Sequence, residues 1–477
     1  MFGGEDRDCV EGYGRRFARA LSVSTAIVLS MTHMGTARAE TIGGALTKAY
    51  LNNPSLNAQR AAVRVSDESL PKAEAGMLPT IGASAQAGYA ANKISTPASA
   101  GALNSTDTSL PRNYGMTVTQ TLFDGNRTRN SVTQAESNVL AAREQMRTTE
   151  QQVLLSALTS YMDVLRDTAI LDLNRSNVQV LVEQLRQTRD RFNVGELTRT
   201  DVAQAESSLA TAQAQELGAE TQLANSIAGY RFYIGDDPKN LQPVAPLTRP
   251  LPKSVADAVA ISQSENPNIV AQLHNVDAAL MAIKVSEAAL LPSVQVQGAV
   301  SQQWDPLSYG SGYRVLQGSV TGSVNVPIWD GGSSYAGIRA AKETLGQQEL
   351  TADSARDQVR AQVVQAWGAN VNSTGVIKAD KAAVDAAEVA LVGVREEAKV
   401  GQRTTLDVLN AQQAVLTART QLVKDEHDQV VNSYTLLSTV GRLSTRGLGL
   451  AVLEYDPRTH FDQVKHKLFG GDTPEGK

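Results

Sequence analysis

The chain has 477 residues, of which 42% are hydrophobic, 19% are charged and 5% are aromatic. This length exceeds one ordinary domain, but large core-forming side chains are scarce, which favours long helices packed side by side over a thick globular core. The formal net charge of −5 argues against a nucleic-acid partner.

The first 39 residues have the three parts of a secretory signal. A basic region precedes a short apolar run (Ala20–Met31), and Ala37-Arg-Ala39 forms a small-x-small cleavage site before Glu40. A membrane anchor is the alternative, but this apolar run is too short to span a bilayer. We therefore expect export with removal of residues 1–39. Cys9, the one cysteine, is removed with them, so the mature chain has no disulfide.

The mature chain reads as an internal duplication. Asn53-Pro54 recurs as Asn266-Pro267, and Leu78-Pro79 recurs as Leu291-Pro292, at one offset of 213 residues (266 − 53 and 291 − 78). Chance does not hold a register over that distance. Each opening stretch, up to its Leu-Pro, is predicted to be one continuous helix.

After each Leu-Pro the apolar period changes from helical to alternating, which predicts β-hairpins at 80–123 and 293–328. A soluble sheet with one wet face is the alternative. Export and flanking aromatic residues favour lipid, which a chain without apolar helical spans can enter only as a barrel. The hairpin loops, 92–112 and 305–312, are expected to face outside. In the cleanest strand, the expected lipid-facing residues alternate with lumen-facing ones: Val320, Val324 and Val326 against Ser319, Thr321 and Ser323.

Each hairpin ends at a matched corner, Leu122-Phe-Asp-Gly125 or Ile328-Trp-Asp-Gly331, and a long helix follows. The first long helix, 126–192, contains neither Pro nor Gly over 67 residues (192 − 126 + 1), which corresponds to about 100 Å of helix. Its copy is 333–399. The apolar positions approximate a coiled-coil stripe, so each half is expected to form two antiparallel rods.

The long helices end in two copies of one motif, Val194-Gly-Glu-Leu-Thr198 and Val400-Gly-Gln-Arg-Thr404. The Gly can close a helix in the left-handed conformation, and the Thr can cap the next helix together with Asp201 or Asp407 three residues later. The motif therefore predicts two helical hairpin tips.

These patterns divide the chain into five parts. They are the signal peptide (1–39), the first repeat (40–234, with tip 193–198), a Pro-rich linker (235–253), the second repeat (254–441, with tip 399–404) and a C-terminal equatorial segment and tail (442–477).

Through its Asn-Pro and Leu-Pro pairs, Phe/Trp-Asp-Gly corners and duplicated Val-Gly-x-x-Thr tips, the mature chain resembles the TolC-like outer membrane channel (outer membrane efflux protein) family. The resemblance implies a mixed α and β fold. Three chains of four strands each would form a twelve-stranded outer membrane β-barrel, continued by a long α-helical periplasmic barrel of coiled-coil hairpins. Independently, four strands leave open edges that lipid cannot satisfy.

The resemblance also implies a trimeric exit duct for efflux or type I protein secretion, or both. Its partners would be a periplasmic adaptor (membrane fusion) protein and an inner membrane pump. Asp407 and Asn410 would line the pore constriction, and Arg403 would link toward Thr200 and Asp201 of a neighbouring hairpin. The best-known members have a second Asp where this chain has Asn410. Asp407 and Asp201 could also act as helix caps, and the two roles are compatible.

The tips are predicted to be the adaptor-docking surface, because they lie at the far end of rods held in the membrane at the other. The alternative is that their glycines serve only helix closure. The docking residues are Val194, Gly195, Thr198, Val400, Gly401 and Thr404.

No catalytic, cofactor or metal site is expected. The mature histidines have no metal-ligand spacing, and the sequence contains neither a nucleophile elbow nor a phosphate loop. A periplasmic coiled-coil scaffold without a pore is the alternative function, and it would have no lipid-facing strands. The cargo stays open between drugs and secreted proteins.

Overall fold

The computed structural model describes residues 40–95, 104–247, 251–305 and 312–474, so the predicted signal peptide lies outside the described residues. The first half contains α1 (Ile42–Asn52), α2 (Pro54–Asp67), α3 (Ser69–Glu74), β1 (Thr80–Ala87), β2 (Ala90–Ser95), β3 (Asn104–Ser109), β4 (Arg112–Phe123), α4 (Arg127–Asn193) and α5 (Arg199–Ile234). The second half and tail contain α6 (Val255–Glu265), α7 (Pro267–Glu287), β5 (Ser293–Trp304), β6 (Arg314–Asn325), α8 (Ser333–Lys399), α9 (Thr405–Val440) and α10 (Pro457–Val464).

The opening helix of each half is broken, so the prediction of continuous helices is wrong. Asn53 and Asn266 take extended backbone, with ψ of 122° and 120°, because the residue before proline disfavours the helical region. Each side chain caps the following helix. Each also donates to a carbonyl near the end of a return helix: Asn53 to Tyr233 at 3.3 Å and Asn266 to Thr439 at 2.9 Å. At each break, the asparagine therefore connects the opening helix to a return helix that is distant in sequence.

Strands β1, β4, β5 and β6 form one antiparallel sheet in that order, so the two halves meet at the β4–β5 pair. Strands β2 and β3 form a separate pair within the segment 92–112 and just before it, where only a loop was predicted. These two strands do not alternate polar and apolar residues, so the sequence pattern did not indicate them. Main-chain hydrogen bonding between strands does not require such alternation. Most of the second predicted loop, 305–312, lies outside the described residues.

The strand register places the alternating apolar and polar residues of the four strands on opposite faces of the sheet. Val118 lies opposite Ile81 and Gly298, and Gly298 lies opposite Val320. Directly paired residues point to the same side of a sheet. One face is therefore largely apolar, with Ile81, Ala83, Met116, Val118, Val296, Val300, Val320 and Val324, and the other is polar, with Thr117, Thr119, Gln297, Ser319, Thr321 and Ser323.

The helices pack as two antiparallel pairs, α4 with α5 and α8 with α9, and α4 also packs along α7 and α9 of the other half. A large apolar cluster lies where the halves meet. Linker and tail residues pack around this cluster, so both segments cover the joint between the repeats. Its members include Tyr161, Tyr230, Leu158, Tyr434 and Leu443, with Leu241, Val244, Leu450 and Tyr455 against them.

The tail adds a helix that the sequence analysis did not anticipate. In α10, buried His460 lies with Nδ1 2.9 Å from Oδ2 of fully buried Asp67 in α2. Arg143 of α4 stacks on Phe461 with 4.9 Å between its guanidinium carbon and the ring centre. Within the described ranges, none of these helices is both long and apolar enough to cross a bilayer.

Candidate functional site at the helical tips

Each tip is closed by a glycine in the left-handed region, Gly195 with φ 82° and Gly401 with φ 80°. Their N–H groups donate to Phe192 at 2.9 Å and Ala398 at 3.3 Å. A Cβ built on either glycine would meet nothing within 4 Å. Glycine is therefore required here by the backbone conformation and not by close packing.

Matched capping boxes begin the two return helices. The Asp407 N–H donates to Thr404 Oγ1 at 3.2 Å, and the Thr404 N–H donates to the Asp407 carboxylate at 3.0 Å. The same bonds join Asp201 and Thr198 at 3.3 and 3.0 Å. The Thr404 N–H and hydroxyl lower the pKa of Asp407, and the Thr198 hydroxyl and N–H lower that of Asp201. The capping role predicted for both carboxylates is confirmed.

Beyond the cap, α9 keeps its polar candidates on the exposed side. Asp407 is partly exposed and Asn410, one turn later, is exposed, whereas Val408 and Leu409 between them are buried. Leu409 packs in a small cluster with Leu181 and Ala212 of the first hairpin. The buried side thus attaches the second tip to the first hairpin and leaves Asp407 and Asn410 accessible.

Arg403 has a partner that the sequence analysis missed. Its Nε donates to Glu397 Oε2 at 2.8 Å within the same hairpin, and both side chains are about half exposed. The only sequence signal was a carboxylate shortly before the Val-Gly pair. The predicted link from Arg403 toward Thr200 and Asp201 of a neighbouring hairpin stays a prediction.

The docking candidates are brought together at two small, exposed apices. Val194 and Val400 are each 72% exposed, although they are apolar and β-branched. Thr198 and Thr404, which begin the return helices, are exposed beside them. Each apex therefore presents one apolar side chain, a glycine without a side chain and a threonine.

A polar cluster around buried His427 joins α4 to α9, and sequence reasoning also missed it. His427 of α9 lies with Nε2 3.0 Å from Asp163 of α4 and Nδ1 2.8 Å from Asp428. Burial alone would lower the pKa of His427, but its bonds with the two carboxylates raise it overall. This cluster adds a polar contact between the halves.

The two repeats are also the two stretches of the chain, residues 45–236 and 259–442, that match the sequence model described as "Outer membrane efflux protein". The chain belongs to the outer membrane efflux protein family.

Individual family relatives extend over most of the chain. Outer membrane efflux protein BepC of Brucella suis biovar 1 is 40% identical over 95% of this chain and 97% of its own length. Outer membrane protein TolC of Escherichia coli K12 is 26% identical over 86% of this chain and 84% of its own. Proteases secretion protein PrtF of Dickeya chrysanthemi is 26% identical over 90% of this chain and 94% of its own.

A solved structure shows the same fold. The Campylobacter jejuni CmeC outer membrane channel superposes with a TM-score of 0.75 at 15% identity, covering 89% of each chain. The TolC-like resemblance and the mixed α and β fold class are thus confirmed. Family membership confirms the expected outer membrane location, and members of the family are transport proteins and not enzymes.

Proposed function

We propose that three copies of this chain form an exit duct through the outer membrane. Four strands from each copy close a twelve-stranded barrel, and the helices continue it into the periplasm. A periplasmic adaptor joins the duct to an inner membrane pump, which supplies the driving force, so the chain itself performs no catalysis. The observation that carries this proposal is a sheet with one exposed apolar face, whose two edges are unpaired in the described part of this duplicated chain.

The apolar face of the sheet is suited to lipid. Val320 is 82% exposed and Val324 is 67% exposed, whereas the other side of the same strand carries Ser319, Thr321 and Ser323. Near the loop end, the Tyr114 and Trp304 rings lie 4.9 Å apart, the position at which barrel strands carry interfacial aromatic residues.

Val320→Arg, near the middle of the 12-residue strand β6, is expected to impair membrane assembly much more than Ser319→Arg. An arginine costs about 2 to 4 kcal/mol on the lipid face at the bilayer midplane, but a lumen-facing arginine stays in water. Assembly is measured as the yield of heat-modifiable trimer in the outer membrane fraction. Equal tolerance of the two substitutions would contradict the assignment of the faces. Trimers that form only outside the membrane fraction would favour the pore-free scaffold.

The duplication shows how the free edges can be closed. Within one chain, β4 of the first half pairs with β5 of the second, and α4 packs along α7. The equivalent partners of β6 and α8 would be β1 and α2–α3. In the described part of the chain, β6 does not pair with β1, and α8 makes no comparable packing with α2 or α3. A second copy can supply both contacts by repeating the in-chain joint.

The repeat offsets give the register of this joint. Val118 pairs with Gly298 in the chain. The second strands of the hairpins are offset by 206 (331 − 125) and the first strands by 213, so the equivalent pair is Val324 (118 + 206) with Ala85 (298 − 213) of the next copy. The helices support this exchange: Leu158 is fully buried, whereas its equivalent Val364 (158 + 206) is 48% exposed.

Oxidation of a Val324→Cys/Ala85→Cys double variant is expected to give covalent dimers and trimers. Direct cross-strand Cβ atoms lie about 4.5 to 5.5 Å apart, close to disulfide spacing. The mature chain has no other cysteine, and Val118→Cys/Gly298→Cys is the matched in-chain control. Val324→Cys/Ser84→Cys, which tests a one-residue slip, is expected to remain uncrosslinked. Native trimers crosslinked only by the slipped pair would refute this register, and a purely monomeric protein would refute the duct.

The exposed tips are the proposed docking surface for the adaptor. Thr198→Trp and Thr404→Trp are expected to abolish export while outer membrane trimers persist, because both side chains are exposed at the apices, far from the membrane sheet. Ser207→Trp, on an exposed turn of α5 away from the apex, is the size-matched control. Export is measured with any confirmed cargo of the assembled system. Normal export by both tip variants would place docking elsewhere.

The same tips are proposed to form the gate. Asp407 from three copies would place three carboxylates around one axis, which attracts cations and opposes anions, while Asn410 adds hydrogen-bonding groups without charge. Arg403 would hold the tips together through Thr200 and Asp201 of a neighbouring hairpin. Its present partner, Glu397, is half exposed, so exchanging partners costs little.

Asp407→Ala is expected to lower cation selectivity in single-channel recordings, and Arg403→Ser is expected to raise resting conductance. Thr404→Ala removes the hydroxyl of the same capping box but keeps the Asp407 carboxylate, so it reports the effect of cap loss on selectivity. Equal selectivity changes in Asp407→Ala and Thr404→Ala would indicate that Asp407 acts only as a helix cap. Unchanged conductance in Arg403→Ser would exclude the proposed link from Arg403 to the neighbouring hairpin.

A further inference from the structure

The main chain of Glu40, the first residue of the described part, is held by the linker between the repeats. Its N–H lies 3.3 Å from the Lys239 carbonyl oxygen and 3.1 Å from that of Asn240, and its carbonyl accepts from the Gln242 N–H at 3.1 Å. The hydroxyl of fully buried Tyr161 donates to the same Glu40 carbonyl at 2.8 Å. Glu40 therefore fixes the linker against the long helix α4.

The two carbonyls around the Glu40 nitrogen form what we call the N-terminal cradle. Asn240 has a φ of 45°, an uncommon left-handed conformation for a residue other than glycine, and two successive carbonyls converge on one nitrogen there. An amide has a single hydrogen to share between them. An ammonium has three, and its charge-assisted bonds are roughly twice as strong as neutral ones. The cradle therefore suits an ammonium better than an amide.

The charges around this cradle lead to the same conclusion. The Glu40 side chain is only 10% exposed, and it shares the Lys48 ammonium with Asp236 at 2.9 and 2.8 Å. Arg231 is bound to Asp237. The Glu40 carboxylate thus has only a share of one cation. A positive charge on the nitrogen of the same residue would add a second, and a nearly buried carboxylate gains from such a neighbour.

We propose that cleavage of the Ala39–Glu40 bond turns the Glu40 α-amino group into a structural cation bound in the N-terminal cradle. The bond follows the small-x-small pattern that peptidases of the export pathway recognise. Water adds across it, leaving a carboxylate on Ala39 and an amino group on Glu40 that takes up a proton. Processing thereby stabilises the joint at which linker, α1 and α4 meet.

The test uses full-length protein purified from the outer membrane. Its intact mass is expected to begin at Glu40. An amine-acetylating reagent near pH 7 is expected to label the α-amine about tenfold more slowly in the folded protein than after denaturation, because reaction requires local opening. In a variant with Ala-Ser inserted between Ala39 and Glu40, the new terminus lies outside the cradle. Its α-amine should react at the denatured rate, and the thermal midpoint should fall.

Lys239→Ala is the matched control, since it removes a nearby side-chain cation but keeps the cradle carbonyl. It should protect the α-amine as well as the parent chain does. A mature protein that begins at another residue would overturn the proposal, as would a freely reactive α-amine in the folded parent. So would an inserted variant with an unchanged midpoint, or loss of protection in Lys239→Ala.

Discussion

An open sheet edge cannot persist in a bilayer, because lipid offers no partner for main-chain N–H and C=O groups. In the described part of one copy, the main sheet has four strands and two such edges, β1 and β6. The duplication suggests how these edges can be paired. In the β4–β5 pair, the second strand of one repeat already pairs with the first strand of the other. In the proposed trimer the same joint is used six times, three times within chains and three times between them.

The repeats also set the level of the tips. Both long helices have 67 residues and both return helices have 36, so the two hairpins extend equally far from the sheet. Equivalent positions of the tips can then meet in one ring. The differences between them are local: Arg403 and Asn410 of the second tip correspond to Leu197 and Gln204 of the first (403 − 206 and 410 − 206). The proposed link through Arg403 thus originates in the second repeat.

Features set by neighbouring residues could be predicted from the sequence. The cap of Thr404 by Asp407 and the alternation around Val324 depend on spacings of two or three residues, which the chain displays directly. The helix break at Asn53 has a local cause, because Pro54 follows it and disfavours helix there. The contacts that could not be predicted are long-range: Asn53 bonds Tyr233, 180 residues away, and Glu40 binds the linker about 200 residues later. No local period reports such contacts.

The contrast between the buried joint and the tips explains how a duct could open without coming apart. Tyr161, Tyr230 and Leu437 are almost fully buried in a cluster that contains both repeats, linker and tail, so this joint cannot loosen without exposing a large apolar area. The tip contact between Arg403 and Glu397 is half exposed, and such pairs contribute only about 0 to 1 kcal/mol. In the proposed duct, a docking partner would therefore need to supply little free energy to rearrange the tips, while the joint would stay packed. Weak links at one end of rods that are firmly held elsewhere are what a gate requires.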